Sequence, residues 1–182
     1  MFDITGLGDE SAKIRVYIGN RPSYRFARQD NSQQDLIFAL MPGEIRAIGL
    51  ACGNGWRKVF NVYAKLMYAL PKSGLNIPDK RLFTSWQNYR DQQLLQEDSN
   101  TALCFAHYEL RPAINGCLNL IMGKTYAKSL NLPANLVWLD NEFAIAPEFN
   151  LIVCPYFDYR QLSNNKIIRL VELIEEVMKK RH

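Results

Sequence analysis

The sequence predicts an α/β domain with three layers, α/β/α, around a mostly parallel central sheet. Two observations lead there. Short apolar runs of strand length alternate along the chain with amphipathic helical stripes, the pattern of strand–helix–strand units. The chain also shows no internal repeat, low-complexity segment or linker, and its 182 residues, 48% of them hydrophobic, suffice for one core. A single α/β domain over residues 1–182 is expected.

The elements follow in chain order. The first strand is expected at Ile14 to Ile18, where "KIRVYIGN" alternates and is β-branched before Gly19-Asn20-Arg21-Pro22 stops it. "SQQDLIFALM" reads as a short helix ended by Pro42-Gly43. "EIRAIGLACGN" reads as either a short strand or an irregular approach. "GWRKVFNVYAKLMYAL" carries apolar residues at Trp56, Val59, Phe60, Tyr63, Leu66, Met67 and Leu70, a helical stripe with Arg57, Lys58 and Lys65 off it. After the break "PKSGLNIP", Asp79 is placed to cap a second helix running through Leu82, Trp86, Tyr89 and Leu94. "TALCFAHY", "CLNLIMG", "NLVWL" and "NLIVCP" are strand candidates, with a short helix from about Lys124 to Leu130 between the second and third. The last helix, Ser163 to Lys180, buries Ile167, Leu170, Val171, Ile174, Val177 and Met178, and Ser163 or Asn164 can cap it.

Composition narrows the partners. A formal charge of +4 suits nucleic acid or another anionic partner without demanding one. Cys52, Cys104, Cys117 and Cys154 are widely spaced and mostly lie in or beside apolar runs, so buried reduced thiols are expected. Two histidines, His107 and His182, are too few for a His/Cys cage, and no metal or cofactor is expected. The N-terminus lacks a basic region followed by an apolar stretch, and no apolar run approaches about 18 residues. The expectation is a cytoplasmic protein of bacterial style with no membrane segment.

Several segments bear chemistry. "MGKTYA" suggests a phosphate-binding loop, but that motif needs a glycine five positions before Gly123, where Leu118 stands. What survives is a helix start with Lys124 beside it. "GNGWRKVFN" places Arg57 and Lys58 in the first turn of a helix, where cations oppose the helix dipole unless something negative faces them. It reads either as a solvated basic face or as an anion site of turn amides, Asn54 and Arg57. "YIGNRPS" stands past a parallel strand, where ligands bind open sheets. There Gly19 permits close approach, Asn20 can hydrogen-bond a planar group, Arg21 can meet a phosphate, and Ser23 completes the loop, unless the segment is a plain polar turn. His107, in "FAHYELRP", can serve as acid or base near neutrality, though a lone histidine is more often structural.

"CPYFDYRQLSN" holds the equivalent place after the last strand. Asp158 and Arg160 can pair to brace the loop. Alternatively Tyr156 and Phe157, with Tyr159, offer faces for stacking a base, Arg160 lies near its phosphate, and Asn164 opens the helix beyond.

Taken in order, these loops resemble the uracil-DNA glycosylase superfamily, whose α/β/α domain carries its site on loops after parallel strands. "VYIGNRPS" is similar to its Gly-Pro-Ser loop at Gly19, Pro22 and Ser23, and "GNGWRKVF" to its Asn-x-Phe-Trp segment at Asn54 and Trp56. "LIMGKTYAKSL" followed by "LIVCPYFDYRQLSNNK" follows its closing order of strand, Gly, helix, strand, loop and last helix. The resemblance implies that Asn20 orients the catalytic water. The histidine that stabilises the departing base has no counterpart in Tyr156 to Asn164. The whole-chain pattern also resembles an uncharacterised bacterial family, which implies no activity.

Two readings follow. One is a glycosylase-like protein binding a nucleobase, nucleotide or nucleic acid, with N-glycosidic hydrolysis possible through Asn20 and His107. The other is a non-enzymatic binding or interaction module that uses the aromatic Tyr156–Arg160 loop. A purely structural loop in a different α/β enzyme remains a third.

Overall fold

A computed structural model describes residues 5–26, 37–71, 75, 77, 79–105 and 116–179. Its elements are strands β1 (Gly6–Gly8), β2 (Ile14–Tyr17) and β3 (Ile37–Phe38), helices α1 (Glu44–Cys52), α2 (Asn54–Ala69) and α3 (Trp86–Gln92), and strand β4 (Thr101–Cys104). Then come β5 (Leu118–Met122), α4 (Lys124–Ser129), β6 (Val137–Trp138), β7 (Ala144–Ala146), β8 (Leu151–Cys154) and α5 (Asn164–Lys179). One eight-stranded sheet runs in the order β3-β1-β4-β2-β5-β8-β7-β6. Its centre, β4-β2-β5-β8, is parallel throughout, while β1 pairs antiparallel with β4 and β7 antiparallel with both β8 and β6. The α/β class and the mostly parallel sheet hold.

The central strands are largely apolar, interrupted at Arg15, Thr101 and Asn119, because both faces are covered. Leu118, Leu120 and Met122 of β5, with Ile152 and Cys154 of β8, join the core beneath α1, α2, α3 and α5. Ile121, Leu151 and Val153 point the other way, into a smaller cluster with Ala127 of α4 and the β7 alanines. Helix α2 lies across the first face on Val59, Phe60, Tyr63, Leu66 and Met67, and the Tyr63 hydroxyl donates to the Ala102 carbonyl at 3.1 Å. Helix α5 buries Ile167, Leu170, Leu173, Ile174 and Val177, while Val171 and Met178 sit at its half-buried margin.

Four expectations are corrected. Strand β1 precedes the anticipated first strand. Its sequence, Gly-Leu-Gly, carries no strand signal, yet backbone proximity requires it: a Cβ on Gly6 would lie 2.8 Å from the Leu103 carbonyl, and one on Gly8 (φ +121°) 2.3 Å from that of Thr101. "SQQDLIFALM" is not helical at its described end. Ile37 and Phe38 pair parallel with β1, and Phe38 packs on Phe26 with ring centroids 4.9 Å apart, so sheet pairing overrides local propensity. Its residues before Ile37 lie outside the described residues. "EIRAIGLAC" is helix α1, started where the Glu44 carboxylate accepts the Met41 amide at 2.6 Å. Asp79 caps only a 3₁₀ turn, Lys80–Leu82, and Ser85 starts α3 by accepting the Asn88 amide at 3.1 Å. Helix α3 ends at Gln92, so Leu94 lies beyond it. Strand β7 lacked any anticipation because three residues, Ala-Ile-Ala, are too short for alternation to register.

No helix among the described residues is long and apolar enough to cross a membrane. All four cysteines are free thiols, with Cys104 and Cys154 buried as expected and Cys52 and Cys117 partly exposed.

Candidate functional site

Strand β2 has β4 on one side and β5 on the other, so the chain leaves it in one direction and returns on the opposite side. That reversal opens a crevice at the carboxyl ends of β2 and β5, the usual ligand position in open α/β sheets. Three loops meet there, residues 18–23 after β2, Gly123 after β5 and residues 155–163 after β8. The Gly123 amide donates to the Cys154 carbonyl at 2.8 Å, which holds the β5 and β8 exits together. The Tyr156 hydroxyl donates to the Asn20 side-chain carbonyl at 3.3 Å, which ties the first loop to the last. Burial raises the Tyr156 phenol, and the Asn20 contact partly offsets that. Gly19 is required by its neighbour, since a Cβ would stand 2.8 Å from the Tyr126 ring. The Cys52 thiol donates to the Ser23 carbonyl at 3.4 Å and fastens the same loop to the α1–α2 junction.

The β8–α5 loop is built to face two ways. Phe157 and Leu162 point inward, fully buried, with Phe157 edge-on to Tyr63 at 5.7 Å between centroids. Tyr159 and Arg160 point outward, and Tyr159 is 53% exposed. Asp158 fixes the reversal. Its backbone carbonyl accepts the Gln161 and Leu162 amides, both at 2.8 Å, and its carboxylate accepts the Arg160 amide at 2.9 Å and Lys58 Nζ at 2.9 Å. The Arg160 amide, then Lys58, holds this carboxyl below the ordinary carboxylate range.

Opposite this loop stands the polar side of α2. Asn54, Arg57, Lys58, Asn61 and Lys65 recur at three- and four-residue steps and so share one helical face. Together with Val62, Tyr159 and Arg160 they enclose an open cleft of about 440 Å³. Of the eight described lining residues, four are cations and none is a carboxylate. The Arg57 stem lies over Gly49, where a Cβ would come within 2.6 Å of its Cγ, and its guanidinium donates to the Asn54 side chain at 3.3 Å. Lys58 Nζ stands 5.2 Å from the Tyr159 ring centre and the Arg160 guanidinium 5.7 Å from it. Among the described residues, Arg57, Lys65 and Arg160 form no ion pair, whereas Lys58 is neutralised by Asp158. The cleft therefore presents positive charge beside an exposed aromatic face. Its described lining residues include no imidazole or carboxylate to move a proton.

The predicted residues separate into groups. Asn54, Arg57 and Arg160 converge on the cleft, with Asp158 behind its wall. Gly19, Asn20 and Tyr156 meet at the neighbouring sheet edge. Arg21 and Ser23 are exposed on the same loop, Ser23 engaged through its backbone. Asn164 is the exposed first residue of α5 and does not line the cleft. Phe157 is corrected: fully buried against Tyr63, it is a core anchor with no face for a ligand. The pairing within the loop is corrected too. Asp158 bridges to Lys58 and to the backbone of Arg160, because the Arg160 side chain turns out toward the cleft. His107 lies outside the described residues. Tyr159, expected as a stacking face, lines the cleft, and Lys58, Asn61, Val62 and Lys65 line it without having been assigned to the site. The signal for the polar ones was the stripe on α2 opposite its apolar face, which marks a wall only once the β8–α5 loop stands across from it.

Among the described residues, no group of three or more His, Cys, Asp and Glu side chains is placed to hold a metal ion. No curated protein and no solved structure matches the chain. The model of one family of unknown function, DUF6942, matches residues 5–175, nearly the whole length, and the chain belongs to that family.

Proposed function

We propose that this protein binds nucleic acid through the cleft between α2 and the β8–α5 loop, holding backbone phosphates on Arg57 and Arg160 and stacking a base on Tyr159. One observation carries the reading. Among the described residues that line the cleft of about 440 Å³, four are cations and none is a carboxylate, and a half-exposed tyrosine ring stands beside two of those cations. Phosphate contacts supply affinity without regard to sequence, and an aromatic platform accepts any base face. Arg160 keeps its charge at any physiological pH, and the neighbouring Tyr159 phenol raises its pKa further.

Binding fits this site better than N-glycosidic hydrolysis. The Asn20 carbonyl, the atom that would orient a water, already accepts from Tyr156. Among the described residues, the cleft lining holds no histidine or carboxylate to serve as general acid or base near neutrality. Four helices on one sheet face and α4 on the other support a three-layer α/β/α arrangement.

Fluorescence anisotropy with labelled oligonucleotides tests the proposal. Salt-sensitive binding that weakens in Arg57→Ala, Arg160→Ala and Tyr159→Ala is expected, and the absence of binding at low salt refutes it. An abasic-site assay on uracil-containing and alkylated oligonucleotides separates binder from hydrolase, and no base release is expected.

A further inference from the structure

The cleft does not stop at its lining residues. Lys65 Nζ, at its far end, stands 5.1 Å from the ring centre of Trp86, the first residue of α3. The Arg90 guanidinium, one helical turn on, stands 5.7 Å from the same ring. Arg90 also donates to the side chain of Asn61, a cleft residue, at 2.5 Å, and pairs with Asp91 at 2.7 Å. An aromatic ring with a lysine and an arginine beside it thus occurs at both ends of the α2 face, Tyr159 with Lys58 and Arg160 at one, Trp86 with Lys65 and Arg90 at the other. Lys58 and Lys65 are seven residues apart on one face, which is about 10 Å along the helix axis.

We infer that the ligand is an extended single strand that runs along α2 and engages both aromatic–cation stations at once. The inference rests on the nucleic-acid reading of the cleft. A separation of about 10 Å is roughly three steps at the about 3.4 Å rise of a stacked strand, and fewer for a strand drawn out further, so a mononucleotide reaches only one station. Aromatic platforms need exposed base faces, which a paired duplex hides. Lys65 is the connecting residue, since it lines the cleft and also faces Trp86. Asn61 and a bidentate pairing with Asp91 engage each of the three Arg90 nitrogens, which fixes the guanidinium beside the Trp86 ring, so Arg90 contributes its flat face to the track and not a phosphate contact.

Anisotropy titrations with oligothymidylates of two, four, six and eight nucleotides, the six-nucleotide sequence as a duplex, and poly-glutamate as competitor test this. Full-length wild type is compared with Lys65→Ala, Arg90→Ala and Arg160→Ala. In wild type, affinity rises at least about fivefold between two and six nucleotides, the gain expected of a second stacked base. That ratio falls toward one in Lys65→Ala and Arg90→Ala, whereas Arg160→Ala weakens all lengths. Binding that does not depend on length, a length dependence untouched by Lys65→Ala and Arg90→Ala, a duplex bound as tightly as the single strand, or equal competition by poly-glutamate would each overturn the two-station track. The first two of these leave the single cleft standing as a nucleic-acid site. Absence of binding by every oligonucleotide refutes the cleft reading itself, and the track with it.

Discussion

Replacing Arg160 by alanine removes one of three cleft cations that form no ion pair among the described residues, the others being Arg57 and Lys65. Each cation that neutralises a phosphate of a single strand contributes about −0.7 to the slope of log affinity against log salt. Three such contacts give a slope of about −2.1, and two give about −1.4. Between 50 and 200 mM salt, wild type should lose roughly 18-fold in affinity and Arg160→Ala roughly sevenfold. Arg160 is exposed and contributes no buried contact, so the variant should keep the wild-type melting temperature. The assay is anisotropy of a fluorescein-labelled octathymidylate at four salt concentrations, with melting followed by circular dichroism. An Arg160→Ala slope equal to that of wild type would refute the assignment of a phosphate to this side chain. A wild-type slope near zero would refute the electrostatic argument altogether.

The neighbouring positions divide by stability. Phe157→Ala should cost about 3–5 kcal/mol, because it empties a fully buried site against Tyr63, whereas Tyr159→Ala should leave denaturant unfolding unchanged and weaken oligonucleotide binding. Asp158→Asn should lower the melting temperature by about 2–4 °C at neutral pH, as expected for about 1 kcal/mol in a chain this long. Because folding depresses the Asp158 pKa, its contribution is fully present above the unfolded carboxylate value of about 4 and is lost as pH falls through the folded value. The gap between wild type and Asp158→Asn should therefore stay constant from pH 7 to about 5 and close in stronger acid, as read by thermal melts across pH. Gly8→Ala should destabilise by several kcal/mol or prevent folding, since φ is +121° and the Cβ would meet the Thr101 carbonyl at 2.3 Å; expression and melting check it. Burial pushes the Cys104 thiol up to about 11 and raises Cys154 further, so both should resist a thiol reagent in the native state and react after denaturation, while Cys117 reacts in both.

The long elements were legible because burial leaves a periodic mark. Helices α2 and α5 each repeat an apolar residue every three or four positions, β2 alternates, and β5 and β8 are mostly apolar runs. The missed elements are those whose reason lies elsewhere in the chain. Gly6 and Gly8 form a strand because β4 passes within van der Waals reach, and Ile37 and Phe38 do so because β1 offers an edge. Neither partner is visible in a local window. The site shows the same division. Asn54, Arg57 and Arg160 stood out because cations near a helix start or beside tyrosines invite an anion. Phe157 and Tyr159 are chemically similar and two residues apart, and only the reversal around Asp158 decides that one anchors and the other faces solvent. Lys65 is an ordinary off-stripe lysine until Trp86 of α3 is brought beside it.

The central claim is that nucleic acid lies along the α2 face of this cleft. Amide and tryptophan side-chain chemical-shift changes in ¹⁵N-labelled protein, titrated with octathymidylate at low salt, test it most directly. The largest changes should fall on Asn54 to Lys65, Asp158 to Arg160 and the Trp86 indole, with the β6–β7 hairpin unaffected. Changes confined to the hairpin or spread evenly over the surface would contradict it.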